Sequence, residues 1–123
     1  MTILATSRIN TDDPDALNIT VKSASTPEGK ALAPTWDMVM KSKRGEITWE
    51  QYTERYLDLL RKRYAQDKTP FLNILNRDRV VLTCYCTDWK HCHRFLAMQV
   101  LQKIAVHHGY TITLDGELPN IRS

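Results

Sequence analysis

The chain has 123 residues, 42% hydrophobic and 25% charged, with a formal net charge of +3. That length predicts one domain, 1–123, able to bury its own core without disulfide or metal staples, and the composition is that of a soluble globular protein. The charge is too small to argue for nucleic acid and only leaves polyanions open as partners, and no apolar run approaches a membrane span.

Residues 2–9 are short, apolar and β-leaning, a first strand. Residues 10–15 are dense in turn formers and read as a surface loop. Residues 16–23 alternate Leu17, Ile19 and Val21 with polar neighbours, the pattern of a half-buried strand. Residues 23–34 carry serines, a Pro-Glu-Gly turn and a second proline without periodicity, and read as a long loop.

Helices follow. Thr35 is a good N-cap, Trp36, Val39 and Met40 recur at helical spacing, and Gly45 stops the helix after Lys41, Lys43 and Arg44. Thr48 and Gln51 form a capping box for the next one, with Trp49, Tyr52, Tyr56, Leu59 and Leu60 on one face, read as core, and Asp58 and Lys62 four apart on the other. Thr69-Pro70 opens a short third helix.

Residues 80–86 form a β-branched apolar run too short for a helix, a buried central strand. Asp88 is placed to cap a long helix from Trp89 to His108, ended by Gly109, with His107 and His108 complementing the dipole of its last turn. Residues 110–114 alternate as a last strand, and the tail to Ser123 is polar. Strands joined by helical crossovers imply an α/β fold: a small, mostly parallel sheet with helices on its faces, Rossmann-like and three-layered.

All three cysteines of the chain fall in the central strand and the following helix start, where open α/β sheets bind ligands. The N-terminus lacks a charged region followed by an apolar signal core, so the expected compartment is cytoplasmic. There, three close cysteines favour thiols, chemistry or metal over disulfides. Cys92, near a helix N-terminus and two residues from Lys90 and Arg94, has a setting that stabilises a thiolate; the bland alternative is a small packed hydrophobe. The same helix start and Arg94 make an anion site for phosphate or carboxylate. Cys84 and Cys86 share one face of the strand, with Cys86 nearer its ligand-facing end. Cys84, Cys86, Cys92 and His91 or His93 could also supply soft metal ligands, but their spacing is unlike paired zinc knuckles, and no metal is assigned. The phosphatase-type loop, the Gly-rich phosphate loop, the serine elbow and the His-Glu zinc helix are all missing. Lys22 offers a second cation from the loop that returns to the same sheet edge, against the bland reading of a solvated surface lysine, and Trp36 reads as core in preference to a pocket wall.

The run from Cys84-Tyr85-Cys86 to Cys92-His93-Arg94-Phe95-Leu96-Ala97 resembles the cysteine and Cys-His-Arg signature of the domain of unknown function 488 family. Asp88 matches its acidic helix start, although Trp89 stands where proline is common. Ala33-Pro34-Thr35-Trp36 and the stretch Gly45 to Tyr52 are similar to its short members. The resemblance implies a compact α/β domain with no established activity or cofactor, and matches Cys84, Cys92, His93 and Arg94 position by position. Cys86 stands where many members carry a polar residue.

The leading expectation is an anion-binding pocket, with Cys92 as nucleophile or redox thiol and His93 or His91 as proton carrier. Arg94, Cys84, Cys86 and Lys22 would contact a phosphate-bearing small molecule, nucleotide or nucleic-acid group. A non-catalytic module whose Cys-His-Arg cluster supports the fold is the other reading. The cofactor, the oligomeric state and the question of catalysis itself stay open.

Overall fold

A computed structural model describes residues 2–8, 13–84 and 92–117. Four strands, β1 (Thr2–Arg8), β2 (Ala16–Asn18), β3 (Arg79–Cys84) and β4 (Ile112–Glu117), form one sheet in the order β2-β3-β1-β4. Every pairing is parallel, so the expected mostly parallel sheet is wholly so among the described residues. Five helices accompany it: α1 (Pro27–Leu32), α2 (Trp36–Lys43), α3 (Trp49–Gln66), α4 (Thr69–Leu75) and α5 (His93–His108). Helix α5 packs on β1, β3 and β4, α1 packs on β2 and α4, and α3 crosses α1, α2 and α5. The result is a small three-layer α/β fold whose core joins Leu4, Leu17, Val80 and Leu82 of the sheet to Tyr56, Phe71, Ile74 and Leu101 of the helices.

The local signals that hold are those of capping. Thr35 accepts from the Met38 amide, and Thr48 and Gln51 complete a reciprocal box at the start of α3. Gly109 ends α5 at φ 75°, a left-handed conformation that favours glycine.

Four boundaries differ from expectation, each for a local reason. Strand β2 stops at Asn18 instead of reaching residue 23, because the Asn18 side chain takes over from the ladder: its Oδ1 accepts from the Thr20 amide at 2.9 Å and the Thr20 hydroxyl at 2.7 Å. The expected loop over 23–34 contains α1, with Thr26 as N-cap and Pro27 in the first turn. Helix α5 starts at His93 rather than Trp89, with Cys92 as its N-cap in extended conformation; Asp88 and residues 89–91 lie outside the described residues. Strand β4 runs to Glu117, past the expected end at Leu114.

The last difference positions the site. Between β1 and β4 the register shifts at Leu4/Ala5, so that Leu4 faces Leu114 but Thr6 faces Glu117. Gly116 supplies the turn in this bulge with φ 69°. Without the extra residue Thr6 would face Gly116, and Glu117 would point to the opposite side of the sheet. The bulge instead turns Glu117 toward α5.

Candidate functional site

Three features of this topology converge: the end of β3, the start of α5 and the turn that follows β2. Cys84 closes the described part of β3, Cys92 caps α5, and His93 and Arg94 fill its first turn. Cys84 and Cys92 are reduced and buried. Their sulfurs and a ring nitrogen of His93 all lie within 4.8 Å of one another.

The His93 tautomer follows from its partners. Nε2 lies 2.7 Å from the Ile19 carbonyl oxygen, which can only accept, so Nε2 carries the proton. Nδ1 is then the basic atom, and it lies 3.7 Å from the Cys92 sulfur. The early end of β2 therefore serves the site, because it leaves the Ile19 carbonyl to orient the imidazole. Tyr56 meets the ring edge-on at 5.7 Å between centroids and is itself tied by donating to the Leu32 carbonyl at 2.6 Å.

Burial pushes the His93 imidazole below the ordinary value of 6.5; the nearby Cys84 sulfur and the Ile19 bond oppose that, and Arg94 adds to it. The sign follows from proton counting. Below pH 6.5 the unfolded chain takes up a proton at this histidine more readily than the folded chain, so the stability it contributes is present above that pH and falls below it. In metal-free protein this group lowers the urea midpoint between pH 6.5 and 5.5 by the equivalent of at most about 1 kcal/mol, and His93→Gln removes that part of the slope. An unchanged slope in the variant would contradict a neutral, buried imidazole.

Arg94 does not face outward. Its side chain is 0% exposed. Nε and Nη2 donate to the two Glu117 oxygens at 3.1 and 2.7 Å, and Nη1 donates to the Cys84 sulfur at 3.0 Å. The Thr6 hydroxyl donates to the same carboxylate at 2.7 Å. Burial works against the guanidinium's charge, but the bonds to Glu117 and Cys84 outweigh it and hold the group firmly protonated. The expected ligand-facing cation is thus engaged inside the fold, where its charge is matched by Glu117.

A cavity of about 240 Å³ opens on the cluster. Cys84, Cys92 and His93 line it beside Thr20 and Val21, with Pro34, Trp36, Val39, Trp49 and Tyr52 as apolar and aromatic lining and Lys22, Ser42 and Lys43 as polar lining. Trp49 and Tyr52 are stacked at 5.4 Å. The sequence-derived candidates Cys84, Cys92, His93 and Lys22 therefore share one cavity, together with Trp36, while Arg94 braces it through Cys84. Cys86 and His91 lie outside the described residues.

Sequence reasoning missed Glu117, Ile19, Lys43 and the aromatic lining from α3. For Lys43 a signal existed, since it closes the helix that Trp36 opens. A carbonyl such as that of Ile19 leaves no trace in residue identity.

No helix among the described residues is long and apolar enough to cross a membrane. A family model described as the active DUF488-N3 subclade matches residues 22–105, a span that takes in the cavity residues from Lys22 to His93 but not Thr20 and Val21. No curated protein and no solved structure matches the chain.

Proposed function

The chain belongs to the domain of unknown function 488 family, and from that premise we propose that it is a thiol-dependent enzyme acting on a phosphate-bearing aromatic ligand such as a nucleotide. The observation that carries the reading is the pairing of the Cys92 sulfur with a neutral, oriented imidazole beside a ligand-sized opening. A nucleophile, a base and a third group fixing the base are the parts that covalent catalysis requires. Cys92 also stands at a helix N-terminus, where peptide dipoles favour negative charge. The word "active" in the description of the family model points the same way.

The chemistry follows from these positions. His93 Nδ1 takes the Cys92 proton as the sulfur attacks an electrophilic centre of the ligand, and the imidazolium returns that proton to the leaving group. Water, activated by the same nitrogen, then releases the bound portion and restores the thiol. Arg94 is a positioning residue, fixing the Cys84 side of the floor.

The lining suggests what is held. The volume lies below the roughly 300–1,000 Å³ of sites that enclose a whole drug-sized ligand, so the cavity takes part of a ligand. Trp36, Trp49 and Tyr52 suit a planar ring, and the exposed Lys22 and Lys43 suit the attached phosphate. Ribonucleoside 5′-monophosphates are therefore expected to quench tryptophan fluorescence saturably and to slow alkylation of Cys92. Lys22→Ala and Lys43→Ala each weaken that binding about three- to tenfold, the scale of one exposed charge-assisted contact. Absence of both quenching and protection would refute the nucleotide assignment.

A further inference from the structure

We infer that Cys84, Cys92 and His93 form a binding site for a thiophilic divalent cation of the zinc type, three protein ligands with the fourth position facing the cavity. The three candidate ligand atoms already lie within 4.8 Å of one another. A tetrahedral zinc ion with bonds of about 2.3 Å to sulfur and about 2.0 Å to nitrogen needs separations of about 3.5–3.8 Å. The distance of 3.7 Å from Cys92 to His93 Nδ1 meets that value, and the remaining separations close by about 1.3 Å at most.

The surroundings match those of a metal site. Histidines that bind metal through one nitrogen usually donate the other N–H to a carbonyl or carboxylate, as His93 does to Ile19. The Arg94 guanidinium donates to the Cys84 sulfur, as outer groups do to coordinated thiolates. Charge also closes. Arg94 and Glu117 cancel, and two thiolates cancel a divalent cation, so binding adds no net charge to a buried cluster. The two thiol protons leave to solvent, neutral His93 contributes a lone pair, and no electron changes hands. Because all three atoms also line the cavity, the open position meets whatever enters it.

The inference concerns the same atoms as the proposed thiol chemistry but does not rest on it. A bound ion takes both sulfurs out of nucleophilic attack, so occupancy switches that chemistry off.

The experiment is a cobalt titration of the reduced, chelator-stripped full chain with Cys86→Ser, whose two remaining thiols are Cys84 and Cys92. One equivalent of Co²⁺ is expected to give a sulfur-to-cobalt charge-transfer band with the visible bands of four-coordinate cobalt, and Zn²⁺ to displace it with protection of both thiols from alkylation. Cys84→Ser, Cys92→Ser and His93→Gln each weaken binding at least about tenfold. In the unsubstituted chain, Zn²⁺ protection of two thiols supports the site without any variant having to fold. The inference is overturned by no charge-transfer band, by a band abolished by Cys86→Ser alone, or by binding that survives Cys84→Ser/Cys92→Ser and is lost in His107→Ala/His108→Ala. A missing band with a fast-reacting Cys92 removes only the metal site, whereas a band with an ordinary thiol removes only the thiol chemistry.

Discussion

Glu117→Ala should lower the unfolding free energy by about 3–5 kcal/mol, the scale observed when one partner of a buried ion pair is removed. The reason is the state of Arg94: its side chain is 0% exposed, and both Glu117 oxygens accept from it. With the carboxylate gone, the desolvated guanidinium loses the anion that balances its charge while keeping its contact with the Cys84 sulfur, and the Thr6 hydroxyl also loses its acceptor. A domain holding about 5–15 kcal/mol in total would be left marginal. Urea denaturation at an unchanged slope reads the loss directly. The double variant Arg94→Met/Glu117→Leu should recover most of it, because replacing both partners of a buried pair by apolar groups is often neutral or better. A single-variant loss under about 1 kcal/mol would show that the pair does not hold the strand end to the helix.

That pair also marks where sequence legibility ends. The caps at Thr35 and Thr48 and the stop at Gly109 are local devices, and each is readable from a few neighbouring residues. The sheet follows from apolar strands separated by helical patterns, and the family signature picks out Cys84, Cys92, His93 and Arg94, which the fold brings together. Glu117 is different. Alternation from Ile112 and Leu114 places residue 116 inward and residue 117 outward, and a single extra residue at Gly116 inverts that parity. An arginine beside a helix start then reads as a cation awaiting an anion, when its anion is 23 positions downstream in the same chain. Helix α1 escaped for another reason: Thr26, Pro27 and Glu28 are good start signals, but six residues are too few to display an apolar period. Close packing explains its glycine, since a Cβ on Gly29 would lie 2.2 Å from the Asn18 carbonyl oxygen. That contact seats α1 against the turn that presents Ile19 to His93, a dependence visible only in three dimensions.

The second large effect lies in thiol reactivity. An ordinary cysteine at pH 7 is only about 3% thiolate, so its alkylation runs at about 3% of its high-pH plateau. A helix N-terminus favours the charged sulfur, a neutral imidazole nitrogen can accept the thiol proton, and Cys92 has both beside it. Comparing each protein with its own plateau cancels the slow entry of reagent into a cavity. The decisive measurement is the pH profile of iodoacetamide labelling at Cys92, resolved by mass spectrometry in the Cys86→Ser chain with chelator present. Labelling at pH 7 should reach a clearly larger share of its plateau than the roughly 3% of ordinary cysteine, and His93→Gln should lower that share. A profile that matches ordinary cysteine in both proteins would contradict the account, because the sulfur and the imidazole would then share a cavity without acting on each other.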